Sequence, residues 1–202
     1  MRGLPRFNEV TIFDKGMVAL APDLEFRGYA QRQECMIYTK RQAQEWLKLR
    51  PEIETACVAA VGAAGGSTDR IVCHQRKGDY AGYGFPMVSV GSYRQAAADF
   101  GLEWHEKHVA FLTEEAPTPH AGFLPDDLSF MPDFYRMMKA PTLLRGNSTF
   151  SWLAALLGNG LVLSPIIEGL RGGCQHNCRF VAGNWPRFAN LDFVTDLFVN
   201  DR

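Results

Sequence analysis

His74, Arg76 and Lys77 leave a β-branched, apolar run, Ile71-Val72-Cys73, and are followed by Gly78, Asp79 and Tyr80. Burying such groups without partners is costly, so they either face water at a strand end or receive an anion. Arginine grips phosphate through two parallel N–H bonds and lysine as a point charge. Gly78 would let the backbone turn sharply or approach a ligand. A plain polar turn, with Asp79 paired to Arg76, explains the same residues. A second cluster, Gly146-Asn147-Ser148-Thr149-Phe150-Ser151-Trp152, sets small polar residues at the start of a helical pattern. Unbonded N–H groups, hydroxyls and the positive helix end there make an anion site, or an ordinary helix cap. Two such devices facing one another suit a diphosphate. A third group, Cys174-Gln175-His176-Asn177-Cys178, holds two thiols and an imidazole. Its spacing is not that of a zinc finger and no fourth ligand is evident, so plain thiols or a disulfide outweigh zinc.

The elements that must carry these residues follow from pattern. Thr39 caps a helix predicted over 39–50, with Pro51 behind it. The small, glycine-rich stretch 61–68 is the best candidate for a domain boundary. Strands are expected at 70–75, 107–112, in Pro141–Gly146 and at 161–165. Helices are expected near 91–100, at 131–139 with Pro132 in the first turn, and at 148–158 between a Ser148 or Asn147 cap and a Gly158 stop. Strands alternating with short helices predict an α/β fold with a mainly parallel sheet. Residues 1–38, including Val10-Thr11-Ile12-Phe13, read as irregular with weak strands. The Met and Phe residues of Phe130–Met138 read as core.

In an open α/β sheet, ligands bind at the carboxyl ends of the strands. Three strands deliver polar residues to that edge: His74, Arg76 and Lys77; Thr113, Glu114 and Glu115; Asn147, Ser148 and Thr149. There is no GxxxxGK[ST] phosphate loop. His105, His108 and His120 show no metal-ligand spacing.

The chain has 202 residues, 47% of them hydrophobic, and a net charge of −1. That suffices for a real core and gives no global reason to expect nucleic acid or an anionic membrane. No apolar run approaches the roughly 20 residues that span a bilayer. The start of the chain lacks the apolar core of a secretion signal. Five cysteines, an odd number in a chain of this size, suit a reducing compartment. The expectation is a cytoplasmic protein without a membrane span.

His-Gln-Arg-Lys-Gly-Asp-Tyr at 74–80 resembles the H-x-R-R-G-D-Y signature of the family 11 glycosyltransferases, the α-1,2-fucosyltransferases. It is also similar to the related α-1,6- and protein O-fucosyltransferases. VSVGSYRQAAADFGL resembles the segment that follows that signature, and DFYRMMKAPTLLRGNSTFSWLAALLG resembles the family's D-x-x-x-M…N-S-T-F-S-W-W block with its spacing kept. VAFLTEEAP stands where the family has a strand ending in Ser-Asp-Asp. LSPIIEGL and GNWP look like its C-terminal end, and RGYAQRQECM resembles an upstream stretch. The likeness runs from about residue 25 onward, and the two main motifs are specific together rather than singly.

The resemblance implies a GT-B-like architecture, two Rossmann-like domains across a cleft, with the donor domain at 67–202 and a shortened acceptor-side region at 1–66. It implies transfer of fucose from GDP-fucose to a glycan hydroxyl with inversion, with no cofactor and no required metal. By position, Arg76 would be catalytic, contacting the β-phosphate and stabilising the leaving GDP. His74 and Asp133 would hold the guanosine; Asn147, Ser148, Thr149 and Ser151 would hold the diphosphate; Lys77 and Asp79 complete the donor-binding set. Lys77 replaces the family's second arginine, Glu114 and Glu115 replace Asp-Asp, and Leu153 replaces a second tryptophan. The family's opening Gly-Leu-Gly-Asn-Gln segment has no counterpart. The expectation is therefore a fragment, a shortened enzyme, or a chain whose acceptor side is completed by an oligomer or partner chain. Asp79, Asp14 and Glu25 are the candidate general bases. The alternative is a non-catalytic GDP-sugar-binding or partner module; a related transferase with another donor sugar is a third reading.

Overall fold

A computed structural model describes residues 6–8, 25–27, 39–78, 80, 86–167, 174–175 and 178–184. For 6–8, 25–27 and 174–175 it describes the backbone alone. Two three-residue strands, β1 (Arg6–Asn8) and β2 (Glu25–Arg27), pair in parallel. Val10–Phe13 lie outside the described residues.

Helix α1 (Lys40–Trp46) begins with the Thr39 cap, whose hydroxyl accepts from the Gln42 N–H while the Gln42 side chain accepts from the Thr39 N–H. This reciprocal pair satisfies two helix-start donors. The helix ends earlier than the pattern predicts. Pro51, suited to a first helical position, starts α2 (Pro51–Ala63) instead. Half of the glycine-rich stretch 61–68 is thus helix end, and Gly65 takes the left-handed turn at φ 75°. Ala43 packs with Trp152 and Leu156, and Cys57 enters the main core. Both helices precede residue 67, where the donor domain was expected to begin; the first packs on the helix Thr149–Leu157 and the second on the helix Met131–Lys139.

The remaining elements are β3 (Ile71–His74), β4 (Met87–Val88), α3 (Val90–Asp99), β5 (Val109–Leu112), α4 (Met131–Lys139), β6 (Thr142–Leu144), α5 (Thr149–Leu157), β7 (Leu161–Pro165), β8 (Cys174–Gln175) and β9 (Phe180–Ala182). Five strands form one sheet in the order β5-β3-β6-β7-β9, parallel except for β9. β4 and β8 make a separate parallel pair. The fold is α/β with a mostly parallel sheet covered on both faces, compatible with a Rossmann-like domain.

The alternation of side chains along each strand divides the core in two. Val72, Ala110, Leu112, Leu143 and Val162 face α2, α4 and α5, where they meet Cys57, Phe134, Met137 and Ala155. Ile71, Cys73, Leu144 and Leu163 face the side of α3, where they meet Tyr93 and Ala96. Burial on both faces explains why β3 and β6 are continuous apolar runs. Met131, Phe134 and Met137 are core, as the pattern predicts, whereas Phe130 is 47% exposed.

The strand order also fixes where a ligand can enter. The chain leaves β3 for β5 on one side and returns to β6 on the other. The loops after β3 and β6 therefore diverge, which opens a crevice at their carboxyl ends.

Candidate functional site

His74 ends β3, opposite Leu112 of β5 and next to β6. Its ring is almost fully buried, tilted against Phe150 at 5.8 Å, and its Nδ1 has no hydrogen-bond partner. Its carbonyl accepts from the Tyr93 hydroxyl at 2.6 Å. Burial, then the nearby guanidinium groups of Arg76 and Arg145, depress its pKa to about 3, so the imidazole is neutral at physiological pH. Gly146, following β6, presses on this residue. A Cβ there would stand 2.6 Å from the His74 carbonyl oxygen, a separation that requires glycine or a shift of one strand end.

The cations beyond His74 meet carboxylates from the end of β5. Arg76 Nη1 lies 2.6 Å from Glu114 Oε1. The Lys77 backbone N–H donates to Glu114 Oε2 at 3.1 Å, and Lys77 Nζ lies 3.1 Å from Glu115 Oε2. Glu114, which the sequence places on the same edge, is thus a partner of Arg76; the local turn reading paired Arg76 with Asp79. Asp79 lies outside the described residues. The Arg76 guanidinium also stands 5.5 Å from the centre of the Tyr80 ring, whose hydroxyl donates to the Asn147 carbonyl.

The Asn147–Ser151 turn sits beside them, and much of its polarity serves the turn itself. Asn147 Nδ2 donates to the Pro86 carbonyl at 2.6 Å. Ser148 caps α5 by accepting from the Phe150 N–H. The buried Ser151 hydroxyl shares its proton between the carbonyls of Gly146 and Ser148. Thr149, half-buried, opens the helix.

Asp133 enters from the first turn of α4 and is 8% exposed. Its Oδ1 accepts from both the Thr118 N–H (3.1 Å) and hydroxyl (2.5 Å). Burial raises its pKa, against the Thr118 hydrogen bonds and the charge of Arg136. Arg136 donates to the Thr118 hydroxyl and pairs with Asp69 at 2.7 Å, so the carboxylate is held by a chain of side chains from three segments.

Several of these groups line a cavity of about 480 Å³. His74 and Arg76 line it from β3, Glu114 from β5, Phe130 and Asp133 from α4, and Phe150 from α5. Phe130 and Phe150 meet edge to face at 6.1 Å. A planar aromatic group entering here would find ring faces, a neutral imidazole, a fixed carboxylate and, at the mouth, an arginine. Another cavity, of about 390 Å³, lies among Leu47, Leu49, Glu54, Lys139 and Asn159, at the amino ends of β6 and β7 and so away from the carboxyl edge.

The structure therefore brings His74, Arg76 and Asp133 to one cavity, puts Lys77, Asn147 and Ser148 in the adjoining loops, and puts Thr149 and Ser151 in the first turn of α5. Thr118, Arg136, Phe130 and Phe150 were not singled out from sequence as site residues. Arg145 was also missed; it is 1% exposed and donates to Ser164 Oγ and Asn184 Oδ1. An arginine ending an apolar run just before glycine was the available signal.

Among the described residues no three His, Cys, Asp or Glu groups converge as metal ligands. Cys178 is a buried thiol that donates to the Ile166 carbonyl. His176 lies outside the described residues, as does the side chain of Cys174. Of the candidate bases, Asp14 and the side chain of Glu25 also lie outside them. No described helix is long and apolar enough to cross a membrane. No family model, curated protein or solved structure matches the chain.

Proposed function

We propose that this chain binds a nucleoside-diphosphate sugar at the carboxyl edge of its sheet and transfers the sugar to a glycan hydroxyl with inversion. GDP-fucose is the donor that the resemblance implies. The observation that carries the reading is the position of Arg76. It stands where the loops after β3 and β6 diverge and lines a cavity together with the rings of Phe130 and of Phe150, the latter from the first turn of α5. The base would occupy the cavity that Phe130 and Phe150 line, with Asp133 accepting its N–H groups. The diphosphate would then lie across Arg76, Lys77 and the first N–H groups of α5.

In the transfer, the acceptor oxygen bonds to the anomeric carbon from the face opposite the nucleotide. The bond from that carbon to the β-phosphate oxygen breaks, and its electron pair leaves with GDP. Arg76 stabilises the charge that develops there. His74 stays neutral and packs under the nucleoside. The acceptor proton passes to a carboxylate, for which Asp79 is the candidate on the same loop. Acceptor binding would need the region before residue 39, or a partner chain.

The second reading is a GDP-sugar-binding module without transfer. It is favoured by one observation: Glu114, the carboxylate on Arg76, is engaged by Arg76 and Lys77 rather than open to an acceptor. Calorimetric titration with GDP tests the common part. Binding is expected in the wild type and at least about 100-fold weaker binding in Arg76→Ala, since a charged group hydrogen-bonded to ligand is removed. Equal affinity of the two proteins would sink the assignment. Turnover of GDP-fucose, compared with other GDP-sugars, then separates transferase from binding module and identifies the sugar.

A further inference from the structure

The Arg76 site already contains an anion. Glu114 spreads its two oxygens over two donors, Arg76 Nη1 at 2.6 Å and the Lys77 backbone N–H at 3.1 Å. Its carboxyl carbon lies directly over Gly78, 3.6 Å from where a Cβ would stand. That is how two oxygens of a phosphate would sit on the same groups. The pair is also more sheltered than a surface pair. The Arg76 and Glu114 side chains are 29% and 34% exposed, against 57% and 66% for Arg94 and Glu106. With Glu115 on Lys77, two carboxylates balance two cations at the strand end.

We infer that Glu114 is the resident anion of the Arg76 site and a specificity-determining residue, admitting only ligands able to displace its carboxylate. The inference rests on reading Arg76 as a phosphate receptor. An intramolecular carboxylate competes at a high effective concentration. A lone phosphate offers no more than Glu114 does and is excluded. A diphosphate carries more charge and, when joined to a group that fills the Phe130–Phe150 cavity, brings binding energy that Glu114 cannot match. Glu114 thus selects diphosphate esters with a bulky apolar or aromatic end over free phosphate and monophosphates. Once displaced, its carboxylate is released at the cavity mouth.

The test uses inorganic pyrophosphate for the inference and GDP for the functional reading, both titrated calorimetrically at low salt into wild type, Glu114→Gln, Glu114→Ala and Glu115→Gln. Thermal melts establish that each variant is folded. Removing the competing charge is expected to tighten pyrophosphate binding about tenfold in both Glu114 variants, whereas the exposed Glu115 pair should matter less than about twofold. Unchanged or weaker binding in folded Glu114→Gln and Glu114→Ala overturns the inference, as does a lack of millimolar binding to wild type and variants alike. Tighter pyrophosphate binding with no GDP binding to any protein leaves the resident anion standing and removes the nucleotide reading.

Discussion

The two edges of the parallel sheet are built differently. At the carboxyl edge, polar side chains are buried: His74, Gln75, Arg145, Asn147, Ser148 and Ser151 are all at most 6% exposed. Most of them bond to backbone or to one another; Gln75, for example, donates to the Val88 carbonyl and Asn147 to that of Pro86. At the amino edge, contacts are mainly main chain to main chain. Arg70 N–H donates to the His108 carbonyl, Thr142 N–H to that of Arg70, and Leu161 N–H to that of Pro141. There the Arg70 side chain is exposed, and Gly160 lets the chain pass so close that a Cβ would stand 2.0 Å from the Ala140 oxygen. Burying polar groups is costly unless each is satisfied. A chain that concentrates them on one edge has made that edge rigid and specific, and it is the edge where open α/β sheets bind ligands.

The contrast can be broken first with arginine. Arg145→Ala removes a buried cation that ties β6 to Ser164 and Asn184, and is expected to cost about 3 kcal/mol by denaturant unfolding. Arg70→Ala, at the exposed edge, should stay within about 0.5 kcal/mol. Similar losses in both would remove the asymmetry. Next in size is Gly146→Ala, where the added methyl meets the His74 carbonyl; about 1–3 kcal/mol of destabilisation is expected.

Acid sensitivity sharpens the comparison further. In the unfolded chain His74 takes up a proton near its ordinary pKa of 6.5, while in the folded protein burial holds it neutral down to about pH 3. Between these values the unfolded state binds more protons, so the folded state loses stability as pH falls. The slope contributed approaches about 1.4 kcal/mol per pH unit. His74→Gln cannot take up that proton, so its unfolding free energy should fall less steeply from pH 6 to pH 4 than that of wild type. Parallel curves would show that the ring is not held neutral.

The smallest expected effect is a null one. Burial pushes the Cys73 thiol pKa up, and Cys57 and Cys178 are buried too. Mass-spectrometric mapping after brief treatment with a thiol reagent should find these three unlabelled until the protein is unfolded. Labelling of Cys73 in the folded protein would mean that the α3 face of the sheet opens.

Much of the scaffold was legible because its signals are local. Thr39, Ser148, Gly158 and Pro132 mark helix ends through bonds spanning a few residues, and the apolar runs of β3 and β6 report burial on both faces. The stretch 61–68, whose small residues and glycines mark it locally as the candidate domain boundary, begins with the end of α2, where small residues let the helix pack closely with Cys57, Ala60 and Val61 buried.

The sequence by itself determined the four parallel strands of the main sheet, several helix ends, and the delivery of His74, Arg76, Glu114 and Asn147 to strand termini. Only the tertiary structure decided which of these meet. Lys77 and Glu115 are 38 residues apart, and Thr118 reaches Asp133 across a loop; both contacts exist because β3 and β5 are neighbours and α4 packs behind them. Arg145 reads locally as a polar strand end, and its burial appears only once β7 and Asn184 close over it. A cap or a period needs a few residues of one segment, whereas an ion pair needs two segments whose adjacency is set by the packing of the whole sheet.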